Sequence, residues 1–157
     1  MKISKTAEGH FPEAELWVPA KIEDVFAFFS RAENLETITP PFLGFQILGE
    51  RSPEMKEGTL IDYRIKVHGV PMKWRTRIAR WNPPHEFVDT QLKGPYSVWH
   101  HTHSFESKDG GTLMKDRVRF RLPLGFLGDL VAGWMVKRDV KQIFEYRQST
   151  IQSLFPG

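Results

Sequence analysis

The chain has 157 residues, a length that favours a single domain spanning 1–157. Its 40% hydrophobic and 26% charged residues exclude a disordered, collagen-like or coiled-coil chain, and the lack of cysteine excludes disulfide scaffolds, thiolate–metal sites and cysteine nucleophiles. The net charge of +3 is modest but uneven: residues 59–121 carry 12 basic and 6 acidic side chains, whereas residues 1–58 carry 6 and 10. No apolar run approaches the ~18–20 residues of a membrane span. Met1–Glu8 lacks the apolar stretch of a secretory signal, so a cytoplasmic location is expected.

Residues 10–18 read as a first strand ending at Pro19. A short helix follows from about Lys21 to Ser30, because Ile22, Val25, Phe26 and Phe29 recur at helical spacing. A second short helix or turn covers Ala32 to Thr37 and is stopped by Pro40 and Pro41. The pattern then changes to strands, at 42–50, 59–67, 72–81, 87–92, 96–106 and 112–122. Turn residues separate them, including His68-Gly69, Asn82-Pro83-Pro84 and Asp109-Gly110, and links this short imply antiparallel neighbours. A long helix is predicted from about Phe126 to Ser153. Its buried stripe is read as 127, 130, 131, 134, 140, 143, 144, 147, 151 and 154, with Arg147 the one charged member.

Register can be tested by asking which pairing collects apolar residues on one face. Pairing Phe105 with Met114 turns Trp99, His101, His103, Phe105, Met114, Asp116, Val118 and Phe120 inward. Pairing Ile65 with Trp74 does the same for Ile61, Tyr63, Ile65, Val67, Met72, Trp74, Thr76 and Ile78. In 87–92, Phe87, Asp89 and Gln91 alternate with Val88, Thr90 and Leu92, and neither set is plainly the core.

The order of elements resembles the helix-grip fold of the START and birch-pollen-allergen-like superfamily. The likeness covers nearly the whole chain. The runs Gly94–Phe105, Thr112–Asp116 and Leu122-Pro123-Leu124-Gly125 are similar to its bacterial ligand-binding SRPBCC branch, which includes polyketide cyclase/dehydrase-like proteins. The resemblance implies an α+β domain: a seven-stranded bent antiparallel sheet around a long C-terminal helix, with two short helices between the first two strands. It also implies a cavity for a hydrophobic ligand between sheet and helix, without fixing the ligand or a reaction.

The expected ligand-binding residues are Tyr63, Trp74, Trp99, His101, His103, Phe105, Asp116 and Phe120. The predicted register sets His103 opposite Asp116, with His101 two residues along. A buried carboxylate needs such a partner. Three readings stay open for this cluster: a structural ion pair, a polar spot that orients a ligand, or chemistry. For chemistry, two histidines and a carboxylate suit acid–base work on an enolisable substrate, or match the donor types of a non-haem iron or zinc site. No nucleophile motif, phosphate loop or dinucleotide fingerprint is present, so no catalytic residue, metal or cofactor is assigned.

The expected function is therefore carriage or sensing of a small lipid-, polyketide- or aromatic-like molecule. One alternative is a cyclase or dehydratase using a His/Asp pair. Another is a surface-docking module. For docking, the outward faces of the two hairpins carry Arg64, Lys66, Lys73, Arg75, Arg77, Lys115, Arg117, Arg119 and Arg121. Such a face suits an anionic membrane. Nucleic acid is disfavoured because no helix-turn-helix, zinc finger or aromatic-basic RNA motif accompanies the charge.

Overall fold

A computed structural model describes residues 1–157. Eight strands form one antiparallel sheet in the order β1-β2-β8-β7-β6-β5-β4-β3. They are β1 (Lys2–Thr6), β2 (Gly9–Val18), β3 (Gln46–Leu48), β4 (Leu60–Val67), β5 (Val70–Asn82), β6 (Glu86–Lys93), β7 (Val98–Lys108) and β8 (Gly111–Arg121). The helices are α1 (Ile22–Phe29), α2 (Asn34–Ile38) and α3 (Phe126–Leu154). The helix-grip expectation holds, with one strand more than the seven anticipated. The addition is β1, an edge strand whose side chains are almost all exposed and therefore carry no apolar alternation to detect. The third strand is also shorter than the predicted 42–50, because Pro41–Leu43 forms a 3-10 turn.

The β7–β8 register is the predicted one, with Phe105 opposite Met114 and His103 opposite Asp116. In the β4–β5 hairpin the pairing is displaced by two residues: Tyr63 lies opposite Trp74, and Ile65 opposite Met72. The cause is a tight turn in which His68 and Gly69 both adopt positive φ, 49° and 82°, as a two-residue hairpin loop requires. A shift of two preserves side-chain parity, so the same residues still face inward. Register shifts in β5 at Arg75/Thr76 and at Ile78/Arg80 bend the sheet and aim Asp89 of β6 inward, opposite Ile78 and His101.

The 29 residues of α3 make a rod about 44 Å long. Its middle lies over one side of the sheet, where Val140 and Phe144 pack on Ala14, Val118, Phe120 and Leu122. At the end of the sheet near α1 the interior is solid: Val18, Val25, Phe26, Phe29, Phe105 and Ile151 belong to one cluster. A helix about 10 Å across covers only about two strands. The inner face of β4–β6 is therefore left beneath α2 and the edge of α3 rather than under α3 itself, and a hollow remains there.

The first half of α3 is rotated relative to the predicted stripe. Leu127, Leu130, Val131 and Trp134 are 58–77% exposed. Gly128, Ala132 and Val136 face the interior instead. The rotation has an identifiable cause. A Cβ on Gly128 would collide with the Pro123 carbonyl, so only glycine permits this approach. Two carboxylates on α3 also dock on the sheet, Asp129 to His10 Nε2 at 3.0 Å and Asp139 to His68 Nε2 at 2.7 Å. No helix is long and apolar enough to cross a membrane.

Candidate functional site: a lined cavity with a buried charge cluster

The hollow has a volume of about 410 Å³, within the range of small-molecule sites. Tyr63, Trp74 and Trp99 wall it, with Ile61, Phe45 and Ile143 adding apolar surface. Trp74 stacks on Tyr63 at 5.7 Å and meets Trp99 edge-to-face at 5.7 Å. Burial pushes the Tyr63 phenol far above its ordinary range, so it stays neutral beside the Thr76 hydroxyl at 3.3 Å.

One patch of the lining is charged. His103 donates from Nε2 to Asp89 Oδ2 at 2.6 Å. His101 donates from Nε2 to Asp116 Oδ1 at 2.8 Å. Arg147 of α3 completes the group, with Nη2 at 3.2 Å from Asp116 Oδ1 and 3.3 Å from His103 Nδ1. His103 is held flat between the Phe87 ring at 4.0 Å and the His101 ring at 3.7 Å. The guanidinium of Arg147 lies over the Phe29 ring at 5.1 Å.

Burial alone would discharge these groups, yet mutual pairing outweighs it at three of them. Burial works to raise Asp116, but the Arg147 charge and the hydrogen bonds from His101 and His103 hold its carboxyl well below the usual range. Asp89 is lowered too, its burial being offset by the His103 hydrogen bond and charge. His103 is raised: burial opposes its charge, but bonds to Asp116 and Asp89 prevail. His101 moves the other way, lowered by burial and by the neighbouring charge of His103. The cluster thus sets two carboxylates and the Arg147 guanidinium against one imidazole shifted toward its charged form and one shifted toward its neutral form.

Of the residues predicted from sequence, Tyr63, Trp74, Trp99, His101 and His103 line the cavity, whereas Phe105, Phe120 and Asp116 do not. Phe105 is consumed by the solid core, packing on Phe26 at 5.3 Å and Phe29 at 5.5 Å. Phe120 is fully buried beneath α3 and stacks on His10 at 4.8 Å. Asp116 sits under the histidines and turns toward Arg147, and its shortest histidine contact is to His101 rather than to the predicted His103. Sequence reasoning missed Asp89 and Arg147. A signal existed for each: Asp89 alternates with Phe87 in an ambiguous strand, and Arg147 interrupts an apolar helical stripe.

Asp89, His101 and His103 bring donor atoms within 4.8 Å of one another, the donor set of a metal site. The two imidazoles are stacked at 24° between planes, so their in-plane lone pairs run side by side rather than converging on one ion. Asp89 and His103 are, moreover, already spent on each other. The arrangement is that of a hydrogen-bonded polar network.

The sequence matches the family described as "Polyketide cyclase / dehydrase and lipid transport" over residues 18–145. The chain belongs to this family. No curated protein matches it. Among solved structures, it is similar to a START superfamily protein from Mycobacterium smegmatis, at 17% identity over 94% of this chain and 97% of that one, with a TM-score of 0.69. A protein from Arthrobacter aurescens shares 17% identity over 97% and 91%, TM-score 0.71. Ara h 8.0201 shares 19% over 92% and 98%, TM-score 0.62. At these identities the likeness establishes the helix-grip fold and no more. Within the polyketide cyclase / dehydrase and lipid transport family, this member lines its interior with aromatic walls on β4, β5 and β7 and a cluster of paired charges at their base, in which Arg147 Nε alone is left without a partner.

Proposed function

We propose that this protein binds a small hydrophobic molecule, lipid-, polyketide- or aromatic-like, in the cavity between sheet and α3, as a carrier or sensor. The observation that carries this reading is the pairing of about 410 Å³ of aromatic-walled space with one localised polar patch. Apolar walls supply affinity, about 0.8 kcal/mol for each methylene moved from water. His101 and His103, with Asp89 and Arg147 behind them, orient a carbonyl or hydroxyl of the guest. The experiment is native mass spectrometry and solvent extraction of freshly purified protein. An apolar compound should co-purify with the wild type and be lost when Ala132→Phe fills the cavity. Protein that emerges empty, and that takes up no apolar dye, would refute the reading.

A second reading is turnover of the cyclase or dehydratase kind, favoured by the 2.6 Å His103–Asp89 pair at the cavity wall. In that reading a protonated His103 would give a proton to a substrate oxygen and be left as neutral imidazole, with Asp89 holding the ring in place. His103→Ala separates the two readings. A carrier loses modest affinity and converts nothing, whereas an enzyme loses about 10²–10⁴ in rate.

A further inference from the structure

The end of the sheet opposite α1 combines two features that the cavity does not explain. Four connections meet there: the β1–β2 turn, the β4–β5 hairpin, the β6–β7 loop and the segment from β8 into α3. The last three contribute to the cavity lining, through Val67, Pro95 and Pro123. The same end is ringed by exposed apolar side chains. Leu124 just before α3, and Phe126, Leu127, Leu130, Val131 and Trp134 along its first turns, are 58–82% exposed. Val70 at the hairpin tip and Leu92 at the end of β6 are 55% and 54% exposed. Soluble surfaces rarely gather so many large apolar groups in one place without a partner.

Charge is polarised along the same axis. Lys5, Lys66, Lys93 and Arg121 close the strands at this end, and Lys137 and Arg138 follow Trp134 on α3. Arg138 also lies over the Trp134 ring at 5.4 Å. The α3 carboxylates here, Asp129 and Asp139, are paired with Lys5 and Arg138, so the cations of the rim not engaged by a carboxylate are Lys66, Lys93, Arg121 and Lys137. Glu8, in the β1–β2 turn, also lies at this end, where cations still outnumber carboxylates, whereas at the other end Glu33, Glu36, Glu54, Glu57, Glu86 and Asp109 are interspersed with Arg31, Arg51, Lys56, Arg80 and Lys108.

We infer that this apolar collar docks the protein on an anionic lipid bilayer, with the first turns of α3 lying in the interface and the mouth of the cavity facing the membrane. An amphipathic helix start with an outward tryptophan and a rim of Lys/Arg has the makings of an interfacial anchor. Its positive rim complements lipid phosphate, which a second copy of this equally positive rim would not. The basic outer face predicted from sequence is the poorer candidate. Its β8 arginines and its β4–β5 residues are separated by β7 and β6, about 14 Å. Arg75 is also already paired with Asp62 in two hydrogen bonds. The inference requires no ligand in the cavity, so it stands or falls apart from the carrier reading.

The test is co-sedimentation of the full chain with vesicles of phosphatidylcholine containing phosphatidylglycerol, against phosphatidylcholine alone, at low and high salt. The expected result is binding to the anionic vesicles that weakens with salt. Leu130→Ser/Val131→Ser should reduce it at least tenfold, with an unchanged thermal melt, since both side chains are exposed. Arg75→Ser/Arg77→Ser should leave it within twofold. Absence of vesicle binding at low salt overturns the inference. So does binding lost only in the Arg75/Arg77 variant. A dimer in sedimentation equilibrium that Leu130→Ser/Val131→Ser dissociates would likewise overturn it, by assigning the collar to a second copy.

Discussion

Arg147 on α3 and Asp116 on β8 meet at 3.2 Å in a site where each side chain is only 8% exposed. This contact ties the closing helix to the sheet, and the same carboxylate carries the histidines of the cavity wall. Removing one partner strands the other charge in an apolar interior, which costs about 3–5 kcal/mol for buried pairs. Arg147→Met should therefore destabilise the protein by about that amount in urea titrations. The double variant Arg147→Met/Asp116→Leu should recover much of the loss. A loss below about 1 kcal/mol for the single change would mean that the pair is solvated.

The two cavity histidines are expected to titrate in opposite directions from the ordinary value of 6.5, His103 above it and His101 below. Proton NMR of the imidazole C–H resonances, assigned with His101→Gln and His103→Gln, reads this directly. Removing His103 should let His101 rise, because one cause of its depression is the charge next door.

Stability against pH follows from the same groups. Asp116 titrates lower in the folded chain than in the unfolded chain, where it sits near 3.8. Between those values the unfolded chain binds more protons, so stability rises with pH there. The contribution is complete above about 3.8 and fades as acid protonates the folded carboxyl. His103 has the opposite sign. Its contribution is complete below 6.5 and is lost as pH climbs through the raised folded value. Melting temperature against pH should fall on the acid side less steeply in Asp116→Asn than in the wild type, from a lower starting level.

Ala132 on α3 faces the cavity. Ala132→Phe should fill the hollow at a cost no larger than the about 1–3 kcal/mol of overpacking, because the space already exists. Fluorescence of the apolar dye 1-anilinonaphthalene-8-sulfonate should rise with the wild type and fall several-fold with the variant. Equal signals would place the dye on the outer apolar collar, which Leu130→Ser/Val131→Ser would then remove.

Gly9 opens β2 at φ 131°, and a Cβ there would come within 2.6 Å of the Phe120 carbonyl oxygen. Gly9→Ala should cost about 1–3 kcal/mol through backbone strain and a displaced β8. Chemical denaturation measures the loss. Crosspeaks of His10 and Phe120 should shift, while those of Phe26 and Phe29 at the other end should not.

The hairpin of β7 and β8 was legible because parity is a local constraint: one slip would have put Arg117, Arg119 and Arg121 on the same face as Trp99, His101 and Phe105. Parity does not say what lies across from a face. Phe105 and Trp99 share one face of the same strand, yet Phe105 is buried against α1 and Trp99 lines the cavity. The same gap explains α3. Its apolar residues allow two stripes, and Gly128 together with Asp129 and Asp139 selects the one that leaves Leu130 and Trp134 outside.

Alternation, turn chemistry and helical spacing act over a few residues, so the amino-acid order by itself determined seven of the eight strands, the long closing helix and the inward placement of both histidines. The partners of those histidines come from β6 and α3, up to 44 residues away, and no local pattern encodes such a distance. Only the three-dimensional path of the chain, set by the β5 irregularities and the seating of α3, decided that Asp89 and Arg147 complete the cluster, that a hollow survives over β4–β6, and that an apolar collar faces outward.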